Sequence, residues 1–151
     1  MEAYVDRKKL IVPGVAGLYE ALAPLSHALI RVALGVFLIP HGYAKLFQDD
    51  AASAARNFVN FGWSHPLGWA YLIGALEFFG GIMLAIGLFT RIVAAAFVIE
   101  MAVISFGVLW PVWSWGKHGM EYALLMGIVA LAIVLRGGGR YSADHYLGRE
   151  F

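Results

Sequence analysis

Arg31, His41, Glu77, Glu100 and Glu121 all fall inside stretches apolar enough to enter a membrane. A charge at the centre of a bilayer costs about 2.5–3.5 kcal/mol on insertion scales, so such residues turn inward and find partners. Counted along helices at about 1.5 Å per residue, Arg31, Glu77 and Glu100 fall at similar depths and form an expected inner layer. A guanidinium beside two carboxyls can hold an anion or share a proton between the acids. It can equally be a structural lock that fixes helix register. His41 and Glu121 fall nearer the opposite face, with His118 and Lys45 close to that level. Imidazole exchanges protons near neutral pH and donates to carbonyl oxygens. The set His41, Lys45, Glu121 and His118 is therefore an expected site for a quinone and its protons, the alternative being a histidine that is merely hydrogen-bonded at the outer interface beside Pro40.

Metal chemistry is not expected in this chain. A di-iron bundle uses Glu-x-x-His pairs, whereas Gly80, Val103 and Leu124 stand three residues after Glu77, Glu100 and Glu121. A bis-histidine haem needs two histidines facing across the bundle, and only His41 and His118 share a level. There are no cysteines, which removes disulfides, thiol relays and thiolate metal sites. Gly137-Gly138-Gly139-Arg140 lacks the strand and the Lys-Ser ending of a phosphate loop; it reads as a helix stop.

These side chains need a membrane scaffold. The 151 residues are 61% hydrophobic and 14% charged, with mean hydropathy +0.73, the balance of an integral membrane protein. The net charge of +1 gives no case for nucleic acid. A span needs about 20 apolar residues, and four segments qualify: 25–46, 67–89, 92–110 and 119–135. The expected fold is an all-α, four-helix membrane bundle over 25–135. An interfacial N-terminal arm (1–24) precedes it, and a C-terminal tail (136–151) follows. Ala21-Leu22-Ala23 resembles a signal cleavage site, but Pro24, Glu20 and the Pro13-Gly14 interruption argue against cleavage. The stretch 47–66 reads as the one long connection without structure.

Four spans put both termini and the Thr90-Arg91 turn on one side. Arg7, Lys8, Lys9, Arg91, Arg136, Arg140 and Arg149 lie there; Lys45, Arg56 and Lys117 lie opposite. The excess of cations places both termini in the cytoplasm. The opposite loops hold Trp63, Trp69, Trp110, Trp113 and Trp115. That is an aromatic belt, or a docking surface for a partner, with Trp63, Trp110, Trp113 and Trp115 at its centre.

Faces agree with the inward assignment. Arg31, Gly35, Leu38, Gly42 and Lys45 recur every three or four residues, with His41 flanking and Pro40 able to bend the helix. Gly74, Glu77, Gly80 and Gly81 cluster in the second span, where glycines admit a close neighbour.

On these residues the chain resembles the DoxX family of small four-helix membrane proteins, over roughly Leu25 to Leu147. The resemblance rests on three segments. The first is Arg31-x-x-Leu34-Gly35 running into His41-Gly42-x-x-Lys45-Leu46. The second is Glu77-x-x-Gly80-Gly81-x-x-Leu84-x-x-Gly87-Leu88-x-Thr90-Arg91. The third is Gly137-Gly138-Gly139-Arg140-Tyr141-Ser142-x-Asp144. It implies a multi-pass protein of a bacterial or archaeal cytoplasmic membrane with a redox connection and a quinone site.

Three functions follow as expectations. The first is a redox-associated, quinone-binding subunit, at most part of a quinone-linked oxidoreductase. It would work with another membrane or periplasmic protein that carries the redox cofactor. The second is a non-catalytic assembly or packing subunit of a larger membrane complex; the expected partner in the membrane is that redox protein or a further copy of this chain in a homo-oligomer. The third is a small proton-coupled transporter.

Overall fold

The computed structural model describes residues 6–149. They are all-helical, with no strand among them. Six α-helices organise the chain: α1 (Ala16–Phe47), α2 (Ala51–Asn60), α3 (Pro66–Ile86), α4 (Thr90–Val108), α5 (Glu121–Arg136) and α6 (Ala143–Tyr146). Three helical segments among the described residues are long and apolar enough to cross a membrane: Pro13–Phe47, Pro66–Ile86 and Thr90–Val108. α5 has 16 residues.

The expected interfacial arm is not a separate element where it is described. Pro13 opens a helical turn, and from Ala16 the chain runs unbroken through Pro24 into the first span. Pro24 and Pro40 both sit inside α1. Apolar residues on either side of Pro24 favour one continuous rod over a break. The stretch 47–66 is also not structureless. Ala51, Ala55 and Phe58, spaced i, i+4 and i+7, bury one face of α2 against α3.

α1 lies along α3, and α4 lies along α5. The buried face of α1 is Arg31, Leu34, Gly35, Leu38 and Gly42. Glycine makes the α1–α3 contact possible. A Cβ on Gly81 would come 2.8 Å from the Gly35 carbonyl oxygen, and one on Gly74 would come 2.8 Å from Lys45 Cβ. Leu38, Leu84, Phe97, Ala130 and Ile133 fill the centre where α1, α3, α4 and α5 meet. α3 stops at Gly87, whose φ of 76° is readily open to glycine.

Two helices leave the regular α pitch. α3 widens into a π-helical stretch at Leu76–Gly80, and α4 ends in another at Val103–Val108. Such insertions are rare and gather at functional sites. Glu77 lies within the first, and Glu100 three residues before the second.

Candidate functional site

Lys45 and Glu77 form the polar centre of the molecule. Lys45 sits at the end of the buried stripe of α1, and the absence of a side chain at Gly74 leaves it room to lean onto α3. Its Nζ donates to Glu77 Oε2 at 2.6 Å and to Oε1 at 2.9 Å. The two side chains are 14% and 5% exposed, so the pair is screened from solvent. Glu100, on the buried stripe of α4, adds a second carboxyl beside Glu77. Both Glu100 oxygens are buried without a hydrogen-bond partner.

These three groups line a cleft of about 520 Å³, within the size range of small-molecule sites. Its other walls are apolar. α2 supplies Phe58, the turn after it supplies Phe61 and Trp63, and α4 supplies Ile99 and Ile104. Trp63 packs on Trp69, with ring centres 4.9 Å apart, and on Phe58 at 5.5 Å. The cleft thus has an aromatic rim and an ionisable floor. A second cavity of about 260 Å³ lies between α1, α4 and α5. His41, His118, Tyr122 and Met126 line it, and it shares Glu77, Ile104 and Leu109 with the cleft.

The structure redistributes the residues expected from sequence. Arg31 does not meet Glu77 or Glu100. Its guanidinium donates to the Leu84 and Ala85 carbonyls, both at 2.7 Å, and to the Tyr141 carbonyl at 2.5 Å. The ends of helices leave carbonyl oxygens with spare acceptor capacity, and the last turn of α3 brings two within reach of Arg31, the Leu84 oxygen accepting from the Gly87 N–H as well. The inner layer is therefore Lys45, Glu77 and Glu100, with Arg31 working elsewhere. Nearby, Asp144 caps the start of α4, accepting from the Phe89 N–H at 2.8 Å and the Thr90 N–H at 2.9 Å. His27, buried, is hydrogen-bonded to the Gly137 carbonyl at 2.8 Å. These contacts fasten the segment 137–146 onto the bundle.

The outer set also divides. His41 and His118 line the same cavity, both on exposed residues. Lys45 belongs to Glu77. Glu121 accepts from the Trp115 N–H at 2.6 Å and lies outside the cavity that holds the histidines. Trp63 belongs to the cleft rim, whereas Trp110, Trp113 and Trp115 stand 60%, 57% and 67% exposed. Among the described residues, no three His, Asp or Glu side chains gather as a metal site. Sequence reasoning missed the contribution of α2 and the turn after it, Asn57, Phe58 and Phe61, because 47–66 read as a loop. The i, i+4, i+7 spacing of Ala51, Ala55 and Phe58 was the available signal.

Comparison with known proteins agrees on a family. The DoxX family model matches residues 26–110. An uncharacterised protein of Haemophilus influenzae is 28% identical over 134 residues, covering 83% of this chain and 93% of that protein. A Bacillus subtilis protein named "Putative oxidoreductase CatD" is 32% identical over 117 residues, covering 76% of this chain and 81% of that one. No solved structure gives a significant match.

Proposed function

This chain belongs to the DoxX family, and from that premise we propose that it is the membrane-embedded, quinone-holding subunit of a redox system. The observation that carries this reading is the cleft: an apolar, aromatic space of about 520 Å³ whose floor is Lys45, Glu77 and the unpartnered Glu100 carboxyl. A quinone ring has flat apolar faces and two oxygens that need hydrogen-bond partners, and this lining offers both. Phe58, Phe61 and Trp63 would hold the ring and the start of its tail, and Lys45 and Glu100 would meet a ring oxygen. A bound quinone supplies reversible two-electron, two-proton chemistry. The protein side supplies burial, orientation and protons. A partner carrying haem, flavin or metal would exchange the electrons, and the exposed Trp110, Trp113 and Trp115 offer it a docking surface. The oxidoreductase name of the Bacillus subtilis relative supports this direction.

In this reading the protein is a multi-pass protein of the cytoplasmic membrane, with α5 as a fourth crossing and both termini inside. The 16 residues of α5 rise about 24 Å, just short of the usual range, and Met120 before them is buried. The cation excess described above supports this orientation.

The test is purification in mild detergent followed by solvent extraction and quantification of quinone. Retained quinone is expected in the wild type and a clear loss in a Phe58→Ala/Glu100→Gln variant. Wild-type protein from quinone-replete membranes that carries none, and recovers none when menaquinone or ubiquinone is added back, would refute the reading. Labelling of single cysteines placed at Gly116 and at Leu147, which is 62% exposed, by a membrane-impermeant maleimide in intact cells reports the topology. Gly116 labels and Leu147 does not if the termini are inside.

A further inference from the structure

Glu77 occupies two rooms at once. It lines the aromatic cleft, and it also lines the second cavity with His41, His118 and Tyr122. Glu100 lines the cleft and is absent from the second cavity. It neighbours Glu77, is 5% exposed, and its oxygens have no hydrogen-bond partner. The charged and titratable groups around the pair come from every helix packed there. They are Lys45 and His41 on α1, Glu77 on α3, Glu100 on α4, His118 in the turn before α5, and Tyr122 on α5. α2 contributes neutral Asn57. Among the described residues Lys45 is the ammonium in direct contact, bonded to both oxygens of Glu77. One ammonium offsets one carboxylate, so when the cluster is neutral the two glutamates hold a single proton between them.

We propose that Glu77 and Glu100 form a proton-exchange pair that connects the ligand cleft to the second cavity, and through it to the surface that carries His41 and His118. For the identity of the ligand this rests on the quinone reading; the exchange pair itself does not need it. The chemistry is one proton at a time. When a quinone in the cleft has received electrons from the partner's haem, flavin or metal centre, its reduced oxygen takes the shared proton from Glu100. The Glu100 O–H bond breaks and a quinol O–H bond forms. A proton taken up from bulk solvent and relayed past His41 and His118 through the second cavity then reprotonates Glu77, and the proton passes to Glu100 for the second transfer. Oxidation of quinol runs the same steps in reverse and releases protons toward His41 and His118. The wide turn at Leu76–Gly80 presents Glu77 to both spaces, and Ile104 and Leu109, shared by the two cavities, form the apolar wall between them.

Quinone-free protein in detergent, moved from H2O to D2O, tests the pair directly. The infrared carbonyl band of a protonated, buried carboxyl is expected in the wild type and absent in the Glu77→Gln/Glu100→Gln double variant. Its deuterium shift reports access. Ala123→Phe fills the second cavity and is expected to slow the exchange about tenfold, whereas Ala54→Phe on the cleft side leaves the rate unchanged. Met126→Phe, from another position on the same cavity wall, replaces Ala123→Phe if that variant does not fold. No protonated-carboxyl band between pH 5 and 9, about two units either side of neutrality, would overturn the proposal. So would exchange slowed by Ala54→Phe and not by the second-cavity variants. Because no quinone is present, failure here is separable from failure of the extraction experiment.

Discussion

Replacing Lys45 with methionine leaves the Glu77 carboxylate buried without its ammonium. Contacts of 2.6 and 2.9 Å between unit charges correspond to about 6 kcal/mol at an effective dielectric constant of about 20. Desolvation of both partners offsets part of that gain. The expected loss is therefore about 3–5 kcal/mol, the cost of breaking a buried pair from one side. Removing both charges in Lys45→Met/Glu77→Gln is expected to return stability to within about 1 kcal/mol of wild type, because no uncompensated charge is left behind. The assay is unfolding by sodium dodecyl sulfate in mixed micelles, followed by far-ultraviolet circular dichroism, as a double-mutant cycle. Glu100 makes the cycle informative. If it were the principal partner of Lys45, Glu77→Gln would rescue nothing. A single variant that loses less than about 1 kcal/mol, or a double variant no better than the single, would refute the assignment of Lys45 to Glu77.

Other variants probe the packing that holds the site. Arg31→Lys keeps the charge but loses the fork that reaches three carbonyls. A loss of about 2 kcal/mol is expected, with faster tryptic cleavage after Arg140. Asp144→Ala strips the cap from Phe89 and Thr90 and should cost about 1–2 kcal/mol, with faster hydrogen exchange at the Thr90 amide. Gly81→Leu drives a side chain into the Gly35 backbone. It should destabilise by at least about 1–3 kcal/mol and more than Gly81→Ala, read by the same unfolding assay.

The elements were largely legible because apolar runs, glycine faces and helix stops leave strong marks. Arg31, Gly35, Leu38 and Gly42 read as one inward face of a helix, and they are buried together. Glu77 read as inward because it lies among glycines, and Gly42 and Gly74 are the positions that let α1 and α3 approach. The partner assignments were not legible. Depth was counted from Leu25 as the start of the first helix, but α1 begins at Ala16. The count also assumed an even α pitch, which the wide turns at Leu76–Gly80 and Val103–Val108 interrupt. Gly42 packs against Gly74 and Phe78, which sets Glu77 about 15 Å along α1 from Arg31 and leaves Lys45, one turn beyond Gly42, as the cation within its reach. Nor does spacing reveal that an arginine will choose main-chain oxygens, since every residue offers one.

The anchorage of Arg31 has a consequence for the order in which the chain can be put together. The guanidinium belongs to α1, but its acceptors are contributed by Leu84, Ala85 and Tyr141. Synthesis proceeds from the N-terminus, so α1 reaches the bilayer before any of those oxygens exists. A charged side chain costs up to about 2.5–3.5 kcal/mol to insert at a helix centre, and Arg31, level with the end of α3, bears part of that cost. That cost persists until α3 arrives with two acceptors, and the third acceptor comes only when the segment around Tyr141 closes over the bundle. A nascent chain stopped short of residue 141 therefore carries an incompletely satisfied arginine in its first helix. Such a helix is poorly held in the membrane and open to the proteases that clear unfinished proteins. The segment around Tyr141 thus acts as the latch that commits α1 to its place.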